Sequence, residues 1–287
     1  RNIKIMSDSK LLAQEAQNSV YDESNRTTNG PMVMDKVAFA GDNDVYKVAA
    51  KYKIKPLDIL LIYTGEKQEI PMSPFSIMVL GSWIRKHGFS VKLLDPRVDD
   101  VDWDIIGSAK LVGISSMTGK QLTESVRLAR EIKARYPDTP IIWGGPHVSF
   151  FPRQSIESHF VDYCVDGEGE SVIIELMKKL IMGEEPTDVA GVTFKKNGKI
   201  IQNPKLPFIE LDTLDLPAYD LIDLNKYSDS LDSNGMSYES SRGCPYACTF
   251  CYVYIFHDRT FRGKSPEKVL EEVKYLKEVY DIKKLSF

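Results

Sequence analysis

The pattern of apolar and polar positions changes character near Pro56. Before it, residues 1–55 are mostly polar. "SKLLAQEAQNSV" and "DVYKVAAKYKI" have the spacing of short helices, and "NRTTNGP" reads as a loop between them. This stretch carries no recognisable chemistry and is read as an N-terminal extension. After it, short apolar runs alternate with longer segments of helical period. The runs "LDILLIYTG" (57–65), "SVKLLD" (90–95), "KLVGISS" (110–116), "PIIWGG" (140–145) and "VDYCVDG" (161–167) predict five buried strands. Between them, "PFSIMVLGSWIRKHG" (74–88) places Ile77, Leu80 and Ile84 on one helical face and stops at Gly88. "KQLTESVRLAREIKARYP" (120–137) is the clearest helix, ended by Pro137. "PRQSIESHF" (152–160) predicts a short helix, and "ESVIIELMKKLIMG" (170–183) one that ends at Gly183.

Strands alternating with helices predict a parallel sheet covered on both faces. Five of them suit an α/β, flavodoxin-like doubly wound fold over 56–203. Its last part, "VAGVTFKKNGKIIQN" (189–203), reads as a hairpin around Asn197-Gly198. Residues 204–235 have no sustained period and carry Pro217, so they read as a linker. In 236–287, "MSYESS" (236–241) is strand-like, "SPEKVLEEVKYLKEVY" (265–280) is a helix with Ser265 capping and Pro266 at its first position, and "KKLSF" (283–287) is another strand. One β-α-β unit cannot bury both its faces alone. The expectation is a fragment of an incomplete partial (β/α) barrel, or a partner that supplies the rest; the start at Arg1 likewise suggests trimming.

Composition narrows the options. The 287 residues are 43% hydrophobic and 27% charged, with a net charge of −4, as for a globular protein with real cores. Nothing points to a general nucleic-acid binder. No apolar run approaches the roughly 18 residues of a membrane span, and no secretion signal opens the chain, so no membrane partner is expected. Four cysteines, three of them clustered, do not make a disulfide framework, and a reducing, cytoplasmic location is expected.

Those three lie in "SRGCPYACTFCYV" (241–253): Cys244, Cys248 and Cys251, spaced C-x3-C-x2-C. Thiolates in this pattern suit zinc or an iron–sulfur cluster. A structural zinc site wants four closed ligands. Cys164, in a predicted buried strand, is a poor fourth and reads as a small buried hydrophobe; His257 could complete a Cys3His site. A [4Fe–4S] cluster held by three cysteines instead leaves one iron open to a substrate.

With Phe250 before the last cysteine and Tyr252 after it, the loop resembles the signature of radical S-adenosylmethionine enzymes. The resemblance implies that Cys244, Cys248 and Cys251 hold the [4Fe–4S] cluster, that Phe250 and Tyr252 adjoin S-adenosylmethionine, and that the open iron chelates its amino and carboxylate groups before cleavage to a 5′-deoxyadenosyl radical. It also implies a barrel whose first strand leads into this loop, matching "MSYESSRGC". Upstream, the polar tips "SSMTG" (115–119), "GGPHVS" (144–149) and "DGEGES" (166–171) follow successive strands, where doubly wound sheets bind ligands. Together with the cysteine loop, these tips resemble the cobalamin-binding domain of B12-dependent radical S-adenosylmethionine enzymes over residues 56–287.

By that resemblance Ser115, Ser116, Thr118, Gly144, Gly145, His147, Gly167 and Glu168 contact cobalamin. The D-x-H-x-x-G motif, whose histidine ligates cobalt in methionine-synthase-like modules, does not occur. Cobalt is then expected without a protein histidine, and His147 near the ligand rather than on the metal. Glu168 and Glu170 equally fit the acidic first turn of the following helix. Arg259 and Arg262 read as solvated loop residues, with contact to a carboxylate or phosphate as the alternative, and the charges of 267–278 as a solvated helix face. The implied activity is methyl transfer to an unactivated carbon or phosphinate centre through the cluster, the radical and methylcobalamin. The substrate is expected to be a small molecule or natural product, with flavodoxin or ferredoxin as electron donor. Two alternatives stay open: a cobalamin-dependent cyclase or ring-contraction enzyme, and a non-catalytic module with a structural metal. The chain alone is expected to bind cobalamin and to turn over poorly or not at all.

Overall fold

A computed structural model describes residues 56–67, 71–227 and 235–287; the extension read at 1–55 lies outside them. The apolar runs form β1 (Leu57–Tyr63), β2 (Val91–Leu94), β3 (Ala109–Ser115), β4 (Ile141–Gly144) and β5 (Tyr163–Val165). The helices between them are α1 (Phe75–Lys86), α2 (Trp103–Ser108), α3 (Lys120–Arg135), α4 (Pro146–Phe150) and α5 (Pro152–Glu157), and α6 (Ile173–Ile181) follows β5. β6 (Val192–Lys196) and β7 (Lys199–Gln202) complete one seven-stranded sheet in the order β2-β1-β3-β4-β5-β6-β7. Strands β1 to β5 are parallel, in the doubly wound order expected.

The β6–β7 hairpin turns at Asn197 and Gly198, both at positive φ (50° and 74°), as a two-residue turn matching strand twist requires. It pairs antiparallel with β5 and so extends the sheet. Within the sheet domain, two short α-helices escaped the periodicity reading. One is α2, where the Asp102 side chain caps the amides of Asp104 and Ile105 at 3.0 Å. The other is α4, which has Pro146 in its first turn.

Each face of the sheet is dry. On one, Leu60, Ile62, Val112 and Ile114 pack against Leu128, Ala129 and Ile132 of α3. On the other, Ile59, Leu61 and Leu111 pack against Ile77 and Ile84 of α1 and Leu176 and Met177 of α6. This two-sided burial is why the strands read as continuous apolar runs.

The described part of the segment read as a linker is docked up to Tyr227. Leu211, Leu214, Ala218, Tyr219 and Tyr227 are buried. The Ala218 amide donates to the Met78 carbonyl at 3.0 Å, and Lys86 pairs with Asp215 at 3.0 Å. Burying one such side chain contributes ~1.5–3 kcal/mol, enough to fix the strap on α1.

The strand expected over 236–241 is two strands in different sheets: β8 (Gly235–Ser237) and β9 (Ser241–Gly243). β8 pairs in parallel with β11 (Lys284–Ser286), and α8 (Pro266–Tyr280) connects them, giving the βαβ unit expected. β9 pairs antiparallel with β10 (Phe261–Gly263) and closes a hairpin containing the cysteine loop and α7 (Val253–Phe256). Met78, Tyr219, Met236, Tyr238, Leu276 and Ile282 form one cluster joining α1, the strap and the βαβ unit. The α8 face is not uniformly solvated: Glu272 is buried and accepts from the Tyr238 hydroxyl at 2.6 Å and Lys264 at 2.7 Å. Among the described residues no helix is long and apolar enough to cross a membrane.

Candidate functional site

A cavity of about 430 Å³ opens at the carboxyl ends of β1, β3, β4 and β5. Its floor is Leu61, Gly113, Ile114, Ser115, Ile142, Gly144 and Val165. One wall is Phe75, Ile77 and Leu80 of α1, and another is the loop 167–170. Its roof is the cysteine hairpin, through Glu239, Arg242, Tyr252, Phe256 and His257. The Phe150 ring of α4 meets Tyr252 and Phe256 edge-on at 6.1 and 6.4 Å, which ties the roof to the sheet domain.

Of the ten residues the resemblance places at cobalamin or S-adenosylmethionine, six line this cavity: Ser115, Gly144, Gly145, Gly167, Glu168 and Tyr252; Glu170 and His257 line it as well. Gly145 sits at φ 101°, and a Cβ there would lie 2.6 Å from the Ser116 carbonyl oxygen. Glycine therefore lets the β4 loop close against the β3 loop. The other four of the ten do not line it, nor do Cys244, Cys248 and Cys251. Ser116 is fully buried, and its amide and hydroxyl donate to the Gly144 carbonyl at 2.8 and 3.2 Å, bracing the two loops. Thr118 and His147 pair with each other at 2.9 Å (Oγ1 to Nδ1) outside the cavity, and burial lowers the His147 pKa. Phe250 is 92% exposed on the cysteine loop.

The three thiols are free. Cys244 and Cys251 are half-buried and Cys248 is exposed. The Cys251 amide donates to the Cys248 carbonyl at 3.1 Å, which turns the loop between the last two. Among the described residues no three Cys, His, Asp or Glu side chains converge as a cage for a single metal ion. His257 is therefore not placed as the fourth ligand of a zinc site. Its Nδ1 faces Glu168 at 3.5 Å, with Phe208 and Phe256 against its ring. Burial lowers its pKa, and Arg262 and Arg242 push the same way against Glu168. Cys164 is fully buried, and desolvation followed by Asp166 pushes its thiol up to about 12, so it is a neutral core group. The donor set on offer is three sulfurs on one accessible loop, with no fourth protein ligand converging on them among the described residues. That fits a cluster needing three thiolates and an open iron better than a closed structural site.

The polar wall joins Arg242, for which the sequence shows no role, to Arg262, whose alternative reading as a carboxylate contact holds. Arg242 sends Nε to Glu239 and Nη2 to Glu170, both at 2.8 Å, and Nη1 lies 3.4 Å from Glu168. Arg262, read as solvated, is half-buried. Both its terminal nitrogens bond Glu168, Nη1 also donates to the Ile209 carbonyl at 2.9 Å, and the guanidinium lies over the Phe208 ring at 4.4 Å. Arg259 is the exposed loop residue expected, over Tyr254 at 5.6 Å. Burial works against the charge of Arg242, yet Glu170, Glu239 and Glu168 outweigh it and raise its pKa. The nearest sequence signal was the arginine two positions before Cys244. Nothing local shows that its partners stand some 70 residues earlier, at Glu168 and Glu170.

Residues 66–177 match the family model described as the B12 binding domain. An uncharacterized methyltransferase of Pyrococcus horikoshii, PH0819, is 31% identical over 225 residues, covering 75% of this chain and 48% of the relative. The anaerobic magnesium-protoporphyrin IX monomethyl ester cyclase of Synechocystis is 26% identical over 226 residues, covering 75% of this chain and 44% of that protein. The chain thus spans about half the length of these relatives. Among solved structures, the cobalamin-dependent S-adenosylmethionine radical enzyme OxsB shares the fold, with a TM-score of 0.61 at 21% identity over 96% of this chain and 38% of OxsB. The doubly wound domain with its cavity, the cysteine hairpin that roofs it and these likenesses agree: the chain belongs to the family of radical S-adenosylmethionine enzymes with a cobalamin-binding domain.

Proposed function

We propose that the chain serves a cobalamin-dependent radical S-adenosylmethionine enzyme that methylates an unactivated carbon or phosphinate centre of a small molecule. The observation that carries this reading is that the cysteine hairpin is itself the roof of the cavity. The three cysteines do not themselves line the cavity, but their neighbours Arg242 and Tyr252 do, so a group bound on the cysteines would adjoin one bound at the strand ends. When bound, the cluster with S-adenosylmethionine supplies a carbon radical and the corrinoid supplies a methyl carrier.

The chain's own part is placement. Cys244, Cys248 and Cys251 offer sulfur ligands. Ser115, Gly144, Gly145 and Gly167 present backbone and a hydroxyl with little side-chain bulk, so a flat ligand can approach closely. The apolar floor of Leu61, Ile142 and Val165 excludes water. A cavity of about 430 Å³ admits a nucleotide-sized group rather than a whole corrinoid, consistent with seating the tail of cobalamin. The reading also takes a small reducing protein such as flavodoxin or ferredoxin as electron donor and a cytoplasmic setting.

The test is anaerobic reconstitution with iron, sulfide and hydroxocobalamin, followed by visible spectra and metal analysis. Iron with acid-labile sulfide plus a corrin spectrum supports the proposal. One zinc per chain without sulfide supports a structural-metal module and defeats it. A second reading, cyclisation without methyl transfer, is favoured by the likeness to the magnesium-protoporphyrin ester cyclase. S-adenosylmethionine with a deuterated methyl separates the two, because only a methyltransferase moves the label into product.

A further inference from the structure

Two carboxylates on the loop after β5 face three nitrogen-bearing side chains, all from the cysteine hairpin. Glu168 and Glu170 belong to the sheet domain, Arg242 to β9, His257 to the turn after α7, and Arg262 to β10. The contacts span 72 residues from Glu170 to Arg242 and 94 from Glu168 to Arg262. They are out of water: the side chains of Glu168, Glu170 and Arg242 are 3%, 7% and 10% exposed. The Glu168 backbone is set by its neighbour, since Gly167 holds φ 91° and donates its amide to the Ser149 hydroxyl at 2.9 Å.

Buried carboxylates are stable only when paired, so each side of this junction needs the other. Beyond this junction the described hairpin is tied to the strap by Arg262, which donates to the Ile209 carbonyl and lies over Phe208, and by the Phe208–His257 ring contact. Its own ladder is three residue pairs between β9 and β10, and its remaining ties to the sheet domain are aromatic edges such as that of Phe150. The oxygens of Glu168 are engaged by both terminal nitrogens of Arg262, by Arg242 and by His257. That leaves them poorly suited to a ligand, although Glu168 borders the cavity.

We propose that Glu168 is a positioning residue: with Glu170 it forms a carboxylate latch that holds the cysteine hairpin over the cavity and sets where Cys244 and Cys251 stand. This goes beyond the function proposed above. It concerns the chain without cofactors, so its failure and the failure of that function are told apart.

The test uses the cofactor-free chain, its Glu168→Gln variant and its Arg262→Gln variant. Amide hydrogen exchange is read by mass spectrometry over 241–263 and over β1 and β3. Alkylation rates of Cys244, Cys251 and the already exposed Cys248 are read in parallel. In Glu168→Gln, exchange over 241–263 and alkylation of Cys244 and Cys251 rise about tenfold or more, as expected for losing a charge-assisted bond. Exchange in β1 and β3 and alkylation of Cys248 stay within about twofold, because they report other opening events. Arg262→Gln reproduces the pattern from the hairpin side, and the double variant falls short of the product of the two single effects, because the Glu168–Arg262 bond is shared while the contacts of Glu168 with Arg242 and of Arg262 with Ile209 are not. Unchanged protection of 241–263 in both single variants overturns the proposal. So does equal loss in β1, β3 and the hairpin, or failure of both variants to fold, because the carboxylate would then support the whole sheet.

Discussion

Replacing Gly243 with alanine puts a methyl group in a place that has no room for it. Gly243 holds φ 87°, and a Cβ there would lie 2.2 Å from the carbonyl oxygen of Thr260, the residue just before the opposite strand. The left-handed conformation costs an L-residue ~1–2 kcal/mol. The clash is with backbone, which cannot rotate aside, and overpacking of this kind costs ~1–3 kcal/mol. The sum, ~2–5 kcal/mol, falls on a ladder of three residue pairs, Phe261 with Gly243, Arg262 with Arg242 and Gly263 with Ser241. The sheet core is remote from it, so the hairpin is expected to open while the sheet stays folded.

Gly198→Ala is the control. It has a similar φ of 74° with nothing within 4 Å of its Cβ, so only the conformational cost of ~1–2 kcal/mol applies. The assay pairs thermal unfolding with iron and sulfide content after anaerobic reconstitution. Gly243→Ala should lose most of its iron and sulfide with its main unfolding midpoint within ~4 °C of the parent. Gly198→Ala should keep its iron and shift the midpoint by a similar few degrees. Full iron and sulfide in Gly243→Ala would refute the reasoning, since the hairpin would then tolerate the methyl group that its geometry forbids.

Other outcomes follow from the same geometry. Alanine at Cys244, Cys248 or Cys251 should abolish sulfide-containing iron with little change in far-ultraviolet circular dichroism, because none of the three is in the core. Cys164→Ala should cost ~1 kcal/mol through the small void it leaves, measured by urea titration, and leave iron content unchanged. Gly144→Leu has open space at its Cβ and points bulk into the cavity, so cobalamin affinity by spectral titration should fall about tenfold or more while stability holds. Burial lowers the pKa of both His147 and His257 below the ordinary 6.5, so the unfolded chain binds more protons than the folded one as pH falls below about 6.5. Stability should then decrease from pH 7 towards pH 5, and His257→Gln should flatten that slope in denaturant titrations at each pH. An unchanged slope would remove His257 from the account.

The sequence alone was enough to reveal the five parallel strands, the helices between them, the hairpin at Asn197-Gly198 and the cysteine loop. Each of these is written in neighbouring residues: an unbroken apolar run where a strand is covered on both faces, a helical period in the 16 residues of α3, positive φ at an Asn-Gly pair, three thiols in eight positions. Part of the cavity was legible for the same reason. Ser115, Gly144, Gly145 and Gly167 follow strands whose carboxyl ends had to meet. Their neighbours Ser116, Thr118 and His147 share those tips but point elsewhere, a matter of one residue's rotation that composition does not record. Tertiary structure alone decided the rest. It split 236–241 between two sheets, docked 211–227 on α1, and gave Arg262 and Glu272, half-buried and buried, partners across the fold. It also drew the carboxylates of 168 and 170 to the cysteine hairpin. Local patterning carries information over a turn or two of chain, whereas a buried ion pair between residues 94 apart forms only when folding has removed the water from both.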